Sequence, residues 1–484
     1  MKKFIVILCL LSLCLPLCAC SSASLEPEAP AKKEETAEKT QQKDKGPLTY
    51  PKGVFSVGYG IGDITCTTPL PIYNGIAHQI HDPLMLTVTA FCDGQDNVAL
   101  VMSADLKGMH RPVFERTASI IETKFHIPRE NIILSCTHTH SAPTVGETNA
   151  EVMRWAPIYY QTFPAIVEEA LRDLDPVEAA YGGKSQAESI SFVRRYLLED
   201  GTYKMNPSAA DKPVEHESVA DNELRTVRFD RKNKKDVLMV NYQTHYGGAT
   251  SKYPEKISAD FIAPFRKQAE AKWDCLFAYQ SGAGGDVNFN SLIPGEKIYA
   301  NYEIAVEKGF IPATERALAN EEKLELGTIR GAEGFSTATV KKDDAQRVAH
   351  ARKVHALEDG EQKTQLMKEY GFSTKYEPGM VIKRNAEMGD TEDVPLSCIT
   401  FGDLAFAAFP YEMFHENGKQ VRDASPYKMT FINSIAGGSY GYIPTKEAFP
   451  HGGYEVGVCR YTEGCGEQFA AFMLDLLNQC KNPA

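Results

Sequence analysis

Apolar positions fall into three rhythms along the chain. Phe4 to Leu17 is an uninterrupted apolar run of fourteen residues behind Lys2 and Lys3, short of the roughly 20 residues that span a membrane and patterned like a secretory signal. Residues 21–45 hold mainly Ala, Glu, Lys, Gln, Pro and Ser, a composition that cannot offset ordering entropy and predicts a disordered tether. From about residue 51 onward, short β-rich runs alternate with stretches of helical period. Leu86 to Phe91 and Val98 to Ser103 read as strands joined by a turn at Asp93-Gly94. Arg111 to Phe125 carries apolar residues at helical spacing, Asn131 to Cys136 returns to strand, and Tyr159 to Leu174 is helical before a strand at Val177 to Tyr181. Strands at Asp236 to Tyr242 and Cys275 to Gln280 follow, with a helix at Ala259 to Lys272 between them. Lys341 to Tyr370 reads as a charged helical stretch, Leu396 to Phe409 as a hairpin around Gly402-Asp403, and Glu467 to Gln479 as a closing helix. No repeat and no Gly- or Pro-rich linker interrupts this order. It predicts an α/β fold, with mixed β-sheets flanked by helices in αββα-like layers, in a single large domain at 51–484.

Composition narrows the partners. At roughly 150 residues per domain the 484 residues would allow about three, but the unbroken alternation favours one body. Acidic side chains outnumber basic ones by 64 to 52, which argues against a phosphate-neutralising surface and so against nucleic acid as the main ligand. The export run ends in Leu17-Cys18-Ala19-Cys20 followed by Ser21-Ser22, which looks like a bacterial lipobox. That reading makes 1–19 a lipoprotein signal peptide, Cys20 the lipidated first residue and 20–50 the tether. It predicts an extracytoplasmic protein anchored to a membrane through Cys20. An uncleaved signal anchor and a soluble secreted product are the alternatives. Eight cysteines remain in the body, none in a CxxC pair, so a thiolate zinc site is not expected. Cys92 and Cys136 sit in strand-like runs as buried thiols, while Cys459 and Cys465 are near enough in sequence for a disulfide.

Several loops carry chemistry. In Cys136-Thr137-His138-Thr139-His140-Ser141-Ala142-Pro143, an apolar strand runs into a His-x-His. Residues i and i+2 share a face of an extended chain, so the pair can present a metal ligand beside an acid/base group. Surface or packing histidines have the same pattern. His245 follows another strand and precedes Gly247-Gly248, where the backbone can approach a ligand or simply turn. Ser281 to Asn288 is a Gly-rich loop that lacks the phosphate-cradling and dinucleotide spacings, and so suits a pocket wall. Glu412 just past an apolar strand, and Tyr442 within Ser439-Tyr440-Gly441-Tyr442, are unusual positions without a diagnosis of their own.

Taken in order, these pieces resemble the neutral/alkaline ceramidases. The matching segments are Gly58 to Thr65, His81-Asp82-Pro83-Leu84, Thr137 to Pro143, Arg194 before Asn206-Pro207, His245, Ser258-Ala259-Asp260, Gly285-Asp286-Val287, Glu412, and Tyr442 with Tyr454-Glu455. The resemblance implies a zinc ion held by His138, His245, Glu412 and Tyr442. It further implies His140, Arg194 and Tyr454 as catalytic residues around the substrate, with Asp286 and Asn288 in the substrate-binding loop. The implied activity is zinc-dependent hydrolysis of the amide bond of an N-acylated lipid, as in N-acylsphingosine amidohydrolases. In that scheme His140 moves protons and Arg194 and Tyr454 steady the developing oxyanion.

Two departures bear on substrate. Asn288 stands where the family has a serine, and the chain ends soon after the resembling region, without the family's additional β-sandwich. A zinc hydrolase of another amide or ester, such as a cell-wall or glycan-derived N-acyl compound, is the first alternative. A surface-binding lipoprotein without turnover is the second.

Overall fold

The computed structural model describes residues 46–483 apart from 73–74, 147–149 and 246. The expected signal peptide at 1–19, the lipidated Cys20 and the tether as far as residue 45 lie outside the described residues. Residues from Leu48 onward form one unit, and among the described residues no helix is long and apolar enough to cross a membrane.

Eight strands make the larger sheet: β1 (Ser56–Asp63), β2 (Met85–Cys92), β3 (Val98–Ala104), β4 (Ile132–Cys136), β5 (Asp175–Gln186), β6 (Glu223–Arg231), β7 (Val237–Tyr242) and β8 (Leu276–Ser281). Their order is β8-β7-β6-β5-β1-β2-β3-β4, and the short strand Glu322–Leu324 adds to β5. Neighbours are antiparallel except the pairs β3–β4 and β7–β8, which are parallel. A second sheet, β9 (Arg330–Thr339), β10 (Thr391–Phe401), β11 (Leu404–Phe409) and β12 (Met429–Ser434), runs in chain order. It too ends in a parallel pair, β11–β12.

The two-residue period of a strand sorts the side chains into layers. In β3, Val98, Leu100, Met102 and Ala104 face an outer layer of helices, α1 (Arg111–Phe125), α2 (Ala150–Arg172), α3 (Ile262–Trp273) and α4 (Ile311–Ala319). Ala99 and Val101 point the other way, toward the second sheet. Leu404, Phe406 and Ala408 of β11 meet them in that inter-sheet core, where Phe91 lies 4.8 Å from Phe401 and 5.9 Å from Phe406 between ring centroids. Ala405, Ala407 and Phe409 face the opposite layer, made by α5 (His415–Ala424) and, after the short α6 (Gly453–Val458), α7 (Cys465–Lys481). The order is helices, sheet, sheet, helices, as the apolar pattern predicts.

Glycines at alternate positions of β1 set one of these contacts. A Cβ at Gly58 or Gly60 would overlap the backbone of α2 at Ala170 or Ile166, and one at Gly62 would overlap the Ile166 side chain. The Gly58 to Thr65 segment thus presents a smooth strand face onto which the helix settles.

Where the expected elements differ, local sequence explains it. The helix expected from Tyr159 begins at Ala150, its first turns hidden by Pro157 inside it. The stretch Lys341 to Tyr370 is two helices, Ala345–His355 and Glu361–Glu369, parted at Gly360 and followed by a third, Glu377–Ala386. These three close a small satellite core of Ala351, Val354, Phe372 and Val381. Strand β6 reads as polar because it carries Arg225, Arg228 and Arg231, yet Arg225 is buried and donates to the Thr430 carbonyl of the second sheet at 3.2 Å.

Candidate metal centre

The three parallel pairs within the two large sheets open at their carboxyl ends onto one cavity of about 810 Å³. Such ends are where open α/β sheets collect ligands. β3 and β4 deliver Lys107, His138 and His140, β7 delivers His245, and β11 and β12 deliver Glu412 and Tyr442. The last two are brought side by side by a two-residue parallel ribbon in which Glu412 pairs with Tyr442 and the Glu412 amide donates to the Gly441 carbonyl at 2.9 Å.

Three imidazoles meet edge to face, with ring centroids 4.7 to 4.9 Å apart for His138, His140 and His245. Nδ1 of His138 lies 2.7 Å from the Lys107 carbonyl, and Nδ1 of His245 lies 3.3 Å from the Gly284 carbonyl. A carbonyl accepts only, so each Nδ1 carries a hydrogen, and in the neutral ring Nε2 is the atom left to ligate. Nε2 of His138 is 3.2 Å from Nε2 of His140, and 3.2 Å from Glu412 Oε2, which is itself 3.8 Å from Nε2 of His245. Glu412 Oε2 is buried and has no hydrogen-bond partner. Imidazole nitrogens and a carboxylate oxygen converging in one buried space are balanced by a cation among them, a proton on His138 or a metal ion, and the set of nitrogen and oxygen donors fits the latter. The three histidines can bring ligand atoms within 4.8 Å of one another.

His138 stands in the left-handed backbone region, at φ 66°. That conformation costs a non-glycine residue about 1–2 kcal/mol, and it turns the chain from β4 into the cavity. Burial, reinforced by the neighbouring histidines and cations, holds the pKa values of His140 and His245 well below the ordinary imidazole range. Burial works against the charge of Glu412, but His138, Tyr442 and Arg194 outweigh it and bring the carboxyl to about 2. Burial and the Glu412 carboxylate push the Tyr442 phenol well above its usual range.

Arg194 reaches the cavity from a short ribbon in which Val193 pairs with Val287 and the Arg194 amide donates to the Asp286 carbonyl at 2.8 Å. Its Nε donates to Glu455 Oε1 at 2.9 Å, and its guanidinium carbon lies 5.4 Å from the Tyr442 ring centroid. Nη2 is buried without a partner. Burial alone would weaken this charge, but Tyr442, Glu455 and Glu412 raise its pKa further. Tyr454 lines the cavity from α6, its ring 5.2 Å from that of Tyr442. Asn288 lines it as well, donating to Asn206 Oδ1 at 2.7 Å and accepting from the Asn290 amide at 3.0 Å.

Asp286, expected beside the substrate, is elsewhere. It is 2% exposed, its Oδ1 accepts from the His415 amide at 2.8 Å, and its Oδ2 lies 2.7 Å from His415 Nδ1. Both oxygens are occupied in holding α5, directly after Glu412, against the loop that precedes Asn288. The Cys459–Cys465 disulfide that their closeness in sequence allows is not formed, since all eight described cysteines are free and buried, Cys92 and Cys136 among them.

Sequence reasoning passed over Lys107 and His415, and over the aromatic cavity walls Tyr196, Phe289, Tyr299 and Tyr302, and it gave Glu455 no role beyond its place in a matching segment. For Lys107 a signal existed: it follows β3 just as His138 follows β4. Burial lowers its pKa, with Glu412 opposing.

No protein-family model and no curated protein matches the chain. Among solved structures it is similar to neutral ceramidase from Pseudomonas aeruginosa, with a TM-score of 0.64 at 16% identity over 88% of this chain and 74% of that one. It is also similar to a ceramidase complexed with C2, with a TM-score of 0.62 at 18% identity over 88% of this chain and 75% of that one. The chain thus has the neutral ceramidase fold, and at the ends of its strands it gathers a buried three-histidine cluster able to hold a metal ion.

Proposed function

We propose that the chain is a ceramidase-like, zinc-dependent amidohydrolase that cleaves the amide bond of an N-acylated lipid. The observation that carries this reading is the inward convergence of histidine Nε2 atoms on the unpartnered Glu412 Oε2 at one wall of a large cavity. His138, His245, Glu412 and Tyr442 would hold the ion, nitrogen and oxygen donors being suited to zinc. When bound, zinc supplies Lewis acidity to a carbonyl and to water.

The chain's own residues account for the rest. His140, held neutral, accepts a proton during attack and returns it to the leaving amine. Arg194, whose Nη2 has no other partner, and Tyr454 donate to the oxygen on which negative charge develops. Tyr196, Phe289, Leu292 and Tyr302 give the cavity apolar wall for an acyl chain.

Metal analysis of the purified body is the test: stoichiometric zinc that is lost in His138→Ala, together with hydrolysis of N-acylsphingosine, is expected. A body that holds no zinc and behaves identically as His138→Ala refutes the reading and leaves a binding lipoprotein. A second reading, hydrolysis of a different amide or ester, is favoured by the Asn288–Asn206 pair, which puts amide groups where the family has a serine. Turnover on short N-acyl amides or esters with none on ceramide would select it, and Asn288→Ser tests whether position 288 sets the difference. We further propose that the body works outside the cytoplasm, tethered by lipid on Cys20. Labelling with a fatty-acid analogue that persists in Cys20→Ser would overturn this anchor.

A further inference from the structure

Sulfur meets sulfur at the far end of one helix. α7 begins at Cys465 and has Cys480 one residue before its end. Cys480 Sγ lies 3.9 Å from Sγ of Cys398 on β10. Three other thiols face carbonyls, Cys92 that of Pro51, Cys275 that of Ala269 and Cys459 that of Tyr461. Cysteine as a small apolar side chain would account for its presence in the core beneath α7. It does not account for two thiols facing each other there.

We propose that Cys398 and Cys480 are a cross-linking site, oxidised to a disulfide by a disulfide-bearing donor such as glutathione disulfide or a dithiol–disulfide oxidoreductase. Closure needs the two sulfurs to approach from 3.9 Å to about 2.05 Å. Cys480 has the freedom to do so, because it lies in the last helical turn beside the exposed Lys481, Asn482 and Pro483. It is also the more reactive partner: the Cys398 thiol, with Thr400 and Arg330 nearby, brings Cys480 down to about 7 despite its burial. The Cys480 thiolate attacks one sulfur of the donor, whose other sulfur leaves as a thiolate and is protonated. The Cys398 thiolate then attacks Cys480 in the mixed disulfide and expels the second donor thiol. Two protein thiols become one disulfide, and one donor disulfide becomes two thiols.

Such a link reaches the site through packing. α7 lies against α5, which follows Glu412, and a Cβ on Gly466 would overlap the Asn417 side chain and crowd the Pro444 carbonyl, two residues past Tyr442. Fastening the far end of α7 to β10 restrains the layer on which Glu412 and Tyr442 rest.

The test is refolding of the reduced body in glutathione buffer, followed by alkylation and non-reducing peptide mapping. A peptide pair joining Cys398 to Cys480, lighter by two hydrogens than the separate peptides, is expected. It disappears in Cys480→Ser, while Cys398→Ser accumulates Cys480 as its glutathione adduct. Oxidation should raise the thermal midpoint of the wild-type chain by roughly 5 °C, for a linkage closing a long loop, and leave Cys480→Ser unmoved. Full alkylation of both thiols after refolding, or a stable glutathione adduct on Cys480 with Cys398 still reactive, overturns the proposal.

Discussion

The buried pair Asp286–His415 should make stability depend on pH, and Asp286→Asn should remove that dependence. His415 Nδ1 faces Asp286 Oδ2 at 2.7 Å and Nε2 faces the Val219 carbonyl at 3.0 Å. Both partners are acceptors, so both ring nitrogens carry hydrogens and the ring is a cation. Burial opposes that charge, but Asp286 outweighs it and raises the His415 pKa from 6.5 to about 9. At about 1.4 kcal/mol for each tenfold change in proton affinity, the rise corresponds to about 3 kcal/mol. A histidine that holds its proton more tightly when folded contributes this stability in full below about 6.5, and the contribution is lost as pH rises through about 9. Asparagine can still accept from the His415 amide but carries no charge, so the variant should be about 3 kcal/mol less stable near pH 6. Urea unfolding of both chains between pH 6 and pH 10 measures this, and taking their difference cancels the other groups that titrate there. The difference should shrink toward zero at the alkaline end. Parallel curves across the range, or a His415 resonance titrating near 6.5, would show that the pair is not ionic.

Three further substitutions probe the site's supports. In Gly285→Ala the new Cβ would overlap the backbone of Glu412, so zinc content and activity should both fall while unfolding remains cooperative; unchanged zinc would contradict the packing. Glu455 is fully buried and bonds Arg194 at 2.9 Å and Arg195 at 3.0 Å, so Glu455→Gln should cost about 3 kcal/mol by leaving buried cations underpaired, read as a lower urea midpoint. Its kcat should fall with zinc retained. Gly60→Ala would force α2 off β1 and lower the thermal midpoint by several degrees, with no change in metal stoichiometry, since the overlap is with Ile166 and Ala170, neither of which lines the cavity.

The layers were legible because each face of a strand is written in alternate residues. Val98 to Ala104 and Leu404 to Phe409 show nothing but apolar or small side chains, and both are buried on two sides. Helix α1 is bounded as its spacing predicts, opened by Pro112 and stopped where His126 turns left-handed at φ 55°. The histidines were legible from the short step between strand and loop. Glu412 and Tyr442 stood out as unusual positions, but their pairing was visible only through the resemblance, because it comes from a ribbon joining residues thirty apart, which no local pattern announces. Asp286 misled for the same reason: its partner is 129 residues away, so the motif preserved the residue without showing what it holds. Glu455 was legible as part of the Tyr454-Glu455 segment, but its two arginine partners were not.

The proposed donors are unevenly spread along the chain, and this bears on the order of events during synthesis. His138 and His245 belong to the larger sheet, whereas Glu412 and Tyr442 arrive with the second. A nascent or clipped chain that stops before β11 offers imidazoles without the carboxylate that would neutralise a dication. Tight retention of the proposed metal would therefore wait until synthesis has passed Tyr442 and the second sheet has docked. Stable metal loading would then mark a chain in which both sheets have met, and one lacking the second sheet could be recognised by how readily it gives the ion up.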